Sequence, residues 1–259
     1  MPNLYGKEFV FLFDDSGSMR NTDSGATMSR WNELKQFSSN AIALASAFDP
    51  DGVDVYFLNR PKVSNVKSIA QLEQVFLKEP TDYCLTPLTN KLELILHEHR
   101  QKFAKGNLIL IIATDGEPRS QDGTDSVHAF TEALKKRHHT VGVSSASGIP
   151  VSIRACTNDI NSISYLNKLD NDKKMYLDVC DDYQSELIEI QKVLGSDFAF
   201  TFGDFTLKVL LGSVDAWMDN TDEPQNFTTQ EVNYQKFGEV PSQYVDTKRK
   251  KGLFGMFKK

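Results

Sequence analysis

The chain has 259 residues, of which 40 % are apolar and 25 % are charged, and its formal net charge is −6. A chain of this length and apolar content can bury a full core, which excludes disorder of the whole chain. The tail at 248–259 holds six of the 29 basic residues and no acidic residue, so the rest, with 23 basic against 35 acidic residues, carries −12. Because phosphate binding needs a basic surface, we expect no nucleic-acid partner.

The N-terminal sequence and the cysteines predict a cytoplasmic protein. Residues 1–7 lead directly into a strand-like run and lack the basic-then-apolar layout of a signal peptide. No segment approaches the roughly 20 apolar residues that a membrane span needs. Cys84, Cys156 and Cys180 are odd in number and far apart, without a C-x-x-C pattern, so we expect neither a zinc site nor a disulfide framework.

In the first hundred residues, predicted strands alternate with predicted helices. Residues 9–13 are apolar throughout and end at Asp14, which is typical of a strand covered on both faces. A polar loop at 14–28 follows, and apolar residues at about 3.5-residue spacing then predict an amphipathic helix over 31–48. The next predicted elements are a strand at 53–58, a weaker helix at 68–77 and a helix at 88–103.

The second half continues this alternation. Residues 108–113 are wholly apolar and run into Thr114-Asp115-Gly116, so they predict the best-buried strand of the chain. The later predicted elements are a helix at 124–136, a strand at 140–144, a helix at 160–169, a strand at 175–179, and helices at 183–194 and 205–217. This order predicts an α/β fold with a doubly wound, mostly parallel sheet flanked by helices and joined by right-handed crossovers.

One folded domain is expected at 1–218, followed at 219–259 by a polar linker and a basic, amphipathic tail. The linker contains Pro224 and Pro241 and has little periodicity. In the tail, basic residues are interleaved with Leu253, Phe254 and Phe257. Three interpretations stay open for residues 248–259: a disordered solubilising end, a contact with an anionic membrane that would make the protein membrane-peripheral, or a peptide that docks on a partner.

The motif D-x-S-x-S directly follows the first predicted strand, as Asp14-Asp15-Ser16-Gly17-Ser18. Side chains alternate along an extended segment, so those at 14, 16 and 18 point one way while Asp15 points another. One carboxylate and two hydroxyls then converge, and such oxygen ligands suit Mg²⁺ or Mn²⁺. Gly17 is expected to allow a tight backbone turn.

Asp115 follows the other strongly apolar strand. Doubly wound sheets bind ligands beyond the carboxyl ends of their strands, so we expect Asp14 and Asp115 on the same rim. The motif alone is a weak signal, because Asp and Ser after a strand also form turns and helix caps.

Taken together, these segments resemble the von Willebrand factor A (vWA, integrin I-like) family, and most closely its intracellular members. The resemblance covers roughly residues 6–195 and includes the family's metal-ion-dependent adhesion site. It implies that Ser16, Ser18 and Thr86 bind one divalent cation directly and that Asp14 and Asp115 bind it directly or through water. Mg²⁺ is the implied ion, with Mn²⁺ or Ca²⁺ as alternatives, and one coordination position stays open for a partner protein's Asp or Glu.

Thr86 departs most from the family pattern. It stands in Cys84-Leu85-Thr86-Pro87-Leu88, where relatives often carry glycine before the threonine. Its order in the chain, before a predicted helix, fits the metal ligand. The alternative is that its hydroxyl caps that helix.

Three functions remain in view at this point. The first is a metal-dependent protein-binding module that acts as an adaptor or scaffold. The second is a structural or assembly protein that needs no metal and is localised by its tail. The third is a metal-dependent hydrolase, which would need a general base beside the ion. The five histidines lie in or beside predicted helices, and no phosphate-binding loop motif is present, so we do not expect an enzyme.

Overall fold

The computed structural model describes residues 6–172, 175–215 and 218, and within them six strands form one sheet. The strands are β1 (Glu8–Phe13), β2 (Val53–Phe57), β3 (Val63–Val66), β4 (Leu108–Thr114), β5 (Val151–Ala155) and β6 (Asp178–Cys180). Their order is β3-β2-β1-β4-β5-β6. All neighbouring pairs are parallel except β2 and β3. The predicted α/β class with a mostly parallel sheet is therefore confirmed.

Strand β1 lies at the point where the order of the sheet reverses. Phe13 pairs with Phe57 of β2 on one side and with Ala113 of β4 on the other. From β1 the chain first builds outward through β2 and β3 and then returns to β4 on the opposite side. In open α/β sheets the crevice beyond the strand ends at such a reversal is the usual ligand site. Asp14 and Asp115 are the first residues after these two strands.

Helices cover both faces of the sheet. They are α1 (Arg30–Ala45), α2 (Glu73–Phe76), α3 (Leu88–Glu98), α4 (Arg100–Ala104), α5 (Val127–Val141), α6 (Ile160–Asp170), α7 (Tyr183–Leu194) and α8 (Phe202–Leu211). Successive β1 side chains enter opposite cores, as the two-residue repeat of a strand requires. Phe9, Phe11 and Phe13 pack in the core that contains α1 and α8, whereas Val10 and Leu12 pack in the core that contains α3, α5 and α6.

Polar caps fix where the helices begin beside the strand ends. The Ser29 side chain accepts a hydrogen bond from Asn32 N at the start of α1, and Ser126 accepts one from Ala129 N at the start of α5. Asp182 caps α7 in the same way. Such caps satisfy backbone N–H groups that the first helical turn leaves unpaired.

The predicted strand at 140–144 is wrong. Thr140 and Val141 are the last residues of α5, and Gly142 ends that helix with φ = +80°. Val141 is buried on the core side of the helix, so tertiary packing overrides the local preference of Thr and Val for strands. The fifth strand instead lies at Val151–Ala155.

Two further strands differ from the sequence prediction. The short edge strand β3 was not predicted, and its Ser64 and Asn65 are exposed, so it lacks an apolar run. The last strand is Asp178–Cys180 rather than 175–179.

Several predicted helices have shifted limits. The helix expected at 31–48 ends at Ala45, and the one expected at 88–103 is two helices separated at His99. The weak helix at 68–77 is a 3₁₀ turn, Ile69–Leu72, followed by α2. The helix at 124–136 is Val127–Val141, and the one at 205–217 is Phe202–Leu211, with residues 216 and 217 outside the described part. Those at 160–169 and 183–194 are confirmed.

The predicted linker and tail at 219–259 lie outside the described residues. The predicted domain at 1–218 is described from residue 6, except for residues 173, 174, 216 and 217. All three cysteines lie in the described residues, and no disulfide bond joins them. In the part of the chain that the structure describes, every helix is too short or too polar to cross a membrane.

Candidate functional site

Asp14 is held rigidly at the carboxyl end of β1. Its backbone N–H donates to Ala113 O at 2.9 Å, which continues the pairing with β4. The carboxylate is fully buried, and its Oδ1 accepts a hydrogen bond from Ser16 N at 2.8 Å. Oδ2 accepts one from Thr114 Oγ1 at 2.6 Å. Both oxygens are therefore oriented by groups at the ends of the two central strands.

The two serines of the motif connect Asp14 to Asp115. Ser16 Oγ and Ser18 Oγ lie 3.1 Å apart, and Ser18 Oγ donates to Asp115 Oδ1 at 2.8 Å. Ser16 and Asp115 are almost completely buried, at 2 % and 1 % exposure. Four of the five predicted site residues thus form a continuous polar chain across the ends of β1 and β4.

Thr86 reaches the same rim through backbone contacts. Its N–H donates to Arg119 O at 3.1 Å and its carbonyl accepts from Arg119 N at 2.8 Å, which ties it to the loop after Asp115. The N-cap position of α3 is Pro87, so the Thr86 hydroxyl does not cap that helix. Across the described residues, no hydrogen bond joins the hydroxyl of Thr86 to the other four site residues.

Gly17 serves a different purpose from the one that the sequence suggested. Its φ is not positive, so the turn itself does not require glycine. The loop at 81–84 packs directly against it, and a Cβ on Gly17 would lie 2.9 Å from Thr81 O. Gly17 N also donates to Cys84 O at 3.1 Å. Glycine is therefore required here by the close approach of a second backbone.

Asp15 points away from the site, as predicted, although the extended backbone on which that prediction rested ends at Ser16 and a 3₁₀ turn follows at Gly17–Arg20. It is fully buried, and its Oδ1 accepts hydrogen bonds from Asn59 N at 2.8 Å and Asn59 Nδ2 at 3.1 Å. Arg60 Nε lies 3.2 Å from the other carboxylate oxygen. Asp15 therefore binds the loop after β2. Glu117, by contrast, is exposed on the rim.

Arg30 and Asp23 complete the charges around Asp115. Arg30 donates from one terminal nitrogen to Asp115 Oδ2 at 2.7 Å and from Nε to Asp23 Oδ1 at 2.8 Å. Asp23 also accepts from Thr157 Oγ1 at 3.0 Å and from Asn158 N at 3.1 Å. Arg30 was not predicted as a site residue, because nothing in its local sequence distinguishes it from an exposed residue in the first turn of a helix.

Burial and mutual repulsion make the two carboxylates hard to ionise together. Removal from water, and next the charge of Asp115, raise the pKa of Asp14. Removal from water also raises the pKa of Asp115, and the hydrogen bond from Arg30 acts against that rise. A buried carboxylate beside another carboxylate is stabilised by a cation, so this arrangement favours binding of a positive ion.

The donor set fits a hard divalent cation and does not fit zinc. Asp14, Ser16, Ser18 and Asp115 offer two carboxylates and two hydroxyls, which are oxygen ligands of the type that Mg²⁺ accepts, and Thr86 would add a third hydroxyl. Within 6–172, 175–215 and 218, nowhere do three or more His, Cys, Asp or Glu side chains form a group that could hold a metal ion. An ion at this site would therefore depend on the hydroxyls.

Comparison with known proteins adds no identification. No family model matches the chain, and a search of curated proteins finds no match. The likeness to vWA domains therefore rests on the five residues and the order of the strands and helices, and it stays a prediction.

Proposed function

We propose that this protein is a metal-dependent protein-binding module of the vWA type. One Mg²⁺, held by Asp14, Ser16, Ser18, Thr86 and Asp115, would take up an Asp or Glu carboxylate of a partner protein. The observation that carries the proposal is the chain of hydrogen bonds from Asp14 through Ser16 and Ser18 to Asp115, at the point where the strand order reverses. Asp14, Ser16 and Asp115 are buried, and Ser18 is half-buried. The proposed role is that of an adaptor or scaffold, and it includes no enzymatic reaction.

Charge explains why such a site would accept a carboxylate. Asp14 and Asp115 together offset a divalent ion to about zero, and the three hydroxyls add ligands without adding charge. When bound, Mg²⁺ supplies an electrophilic position for one further oxygen ligand. Arg30, bonded to Asp115, neutralises part of the negative charge and so supports binding of an anion rather than opposing it.

A second candidate is a metal-independent structural or assembly protein. The observation that favours it is the ion pair between Arg30 and Asp115, 2.7 Å long and largely buried. This pair neutralises one of the two carboxylates without any metal. A rigid α/β domain stabilised in this way would bind partners equally well when divalent ions are removed.

Partner capture with and without metal distinguishes the two candidates. The full chain and its Asp14→Asn variant are used as bait in native lysate, each in Mg²⁺ and in EDTA, and Glu117→Gln serves as a control on the same rim. A partner that is lost in EDTA and with Asp14→Asn, but kept with Glu117→Gln, supports metal-dependent recognition. A partner held by every bait in both buffers supports the structural candidate.

Direct binding of the ion supplies the decisive check. Isothermal titration of the full chain with MgCl₂ should give a saturable heat that Asp14→Asn abolishes. Absence of any Mg²⁺ or Mn²⁺ binding to the unaltered chain would refute the proposed function, whatever the capture experiment yields.

A further inference from the structure

The segment 81–87, here called the threonine loop, carries the one proposed ligand that does not directly follow β1 or β4, although the Thr86 backbone pairs with Arg119 in the loop after β4. Its backbone touches the D-x-S-x-S motif where Gly17 N donates to Cys84 O at 3.1 Å. The Thr86 side chain has no hydrogen bond to the other site residues that would set its position. Its distance from Ser16 and Ser18 therefore depends on what holds the loop.

Asn59 joins the threonine loop to the motif. Its side-chain Nδ2 donates to Leu85 O at 2.8 Å, one residue before Thr86, and also to Asp15 Oδ1 at 3.1 Å. Its backbone N–H donates to the same Asp15 oxygen at 2.8 Å. The amide NH₂ has two hydrogens, and a carbonyl and a carboxylate are both acceptors, so this orientation of the amide uses both donors.

The other end of this connection is firmly anchored. Asp15 is fully buried, and its second oxygen lies 3.2 Å from Arg60 Nε. The Arg60 guanidinium lies 4.8 Å from the centre of the Trp31 ring and donates to Val75 O at 2.7 Å. A charged side chain that packs on an aromatic ring, donates a hydrogen bond to a carbonyl and forms an ion pair with a carboxylate has little rotamer freedom. Asp15 can therefore act as a fixed point for Asn59.

We propose that Asn59 is a positioning residue for the metal site, which fixes Thr86 against Ser16 and Ser18 by bridging Asp15 and the Leu85 carbonyl. This inference rests on the function proposed above. Under this proposal Asp15, the second residue of the motif, has a role too, because its carboxylate accepts the hydrogen bonds from Asn59. The contact is made through the Leu85 carbonyl, which any residue supplies, so it does not require glycine before Thr86.

A double-mutant cycle tests the role of Asn59. Mg²⁺ affinity is measured by isothermal titration on the full chain, on Asn59→Ala, on Thr86→Val and on the double variant. Asn59 is exposed, so its truncation leaves no core cavity, and melting in EDTA checks that each variant is folded. Asn90→Ala, an exposed asparagine on α3 just beyond the threonine loop, is the matched control.

Asn59→Ala should weaken Mg²⁺ binding about tenfold, the lower end of what loss of a residue that orients metal ligands costs. The same change should have no further effect once Thr86→Val has removed the hydroxyl that Asn59 positions, and Asn90→Ala should bind as the unaltered chain does. Equal affinity of Asn59→Ala and the unaltered chain, or an equal loss with and without the Thr86 hydroxyl, would overturn the inference alone. An unaltered chain that binds no Mg²⁺ would overturn the proposed function together with it.

Discussion

The carboxylate of Asp14 should destabilise the metal-free protein, and Asp14→Asn should remove that cost. Burial and the charge of Asp115 raise the pKa of Asp14 from 3.8 to about 7. A rise of this size corresponds to about 4 kcal/mol of unfolding free energy. Asn has the same shape, and its amide can accept from Ser16 N and donate to Thr114 Oγ1, so the substitution keeps the local packing.

The sign of the pH dependence follows from proton linkage. Folding raises the pKa of this acid, so the folded protein holds the proton more tightly than the unfolded chain does. The cost is absent below pH 3.8, grows as the pH rises, and is complete above about pH 7. In EDTA, Asp14→Asn should therefore be more stable than the unaltered protein by up to about 4 kcal/mol at pH 8 and by about 2 kcal/mol at pH 5.

Mg²⁺ should narrow this difference in stability at pH 8, because only the unaltered protein is expected to bind the ion. At an ion concentration of about 100 times the dissociation constant, the unaltered protein gains about 2.7 kcal/mol, whereas Asp14→Asn gains nothing. Urea denaturation followed by circular dichroism, at both pH values and with EDTA or Mg²⁺, measures these differences. Asp49→Asn is the control. Asp49 is a buried aspartate with a raised pKa, and it accepts a hydrogen bond from Phe9 N near the amino end of β1, at the opposite end of that strand from the site. The substitution should leave the Mg²⁺ response intact.

Two results would refute this reasoning in different ways. If Asp14→Asn is less stable than the unaltered protein in EDTA at pH 8, the buried carboxylate carries no uncompensated charge. If both proteins respond equally to Mg²⁺, Asp14 is not part of a metal site.

Two further predictions concern the close approach at Gly17 and the charge of Arg30. Gly17→Ala should lower the free energy of unfolding by about 1–3 kcal/mol and weaken Mg²⁺ binding, because its Cβ would lie 2.9 Å from Thr81 O. Gly116→Ala is the control, since the new Cβ would have no atom within 4 Å, and it should change neither quantity in the same melting and titration experiments. Arg30→Gln should tighten Mg²⁺ binding about tenfold by calorimetry, because it removes a positive charge that bonds Asp115 at 2.7 Å; weaker binding would mean instead that Arg30 serves mainly to orient Asp115.

The elements that were predicted best from the sequence are the strands that have an apolar core on both faces. Strands β1 and β4 lie in the middle of the sheet with a core on each face, so their side chains are apolar without interruption. The polar residues where these runs stop then mark the rim. Asp14 and Asp115 follow from this logic, and the structure places them as expected.

Strand β5 was not predicted because it contains a buried charged residue, Arg154, whose partners lie far away in the chain. Arg154 is fully buried on β5, yet its guanidinium bonds Glu33 of α1 at 2.9 Å and lies 4.9 Å from the centre of the Phe37 ring. These partners are 121 and 117 residues away in the chain, so no local sequence pattern predicts that this arginine is buried. Arg30 was missed for the same reason, since Asp115 is its partner.

The register of β1 against β4 has a consequence for when the site comes into existence during folding. Asp14 and Thr114 are 100 residues apart, and they meet only when these two strands pair. Such non-local pairing forms slowly, because closing a long loop costs conformational entropy before any contact between the strands stabilises it. A nascent chain that has not yet emerged beyond residue 115 lacks one of the two carboxylates, so under the proposed function a metal ion could not nucleate its fold. Ion affinity would instead be acquired when β1 pairs with β4, and it would report that this pairing has formed.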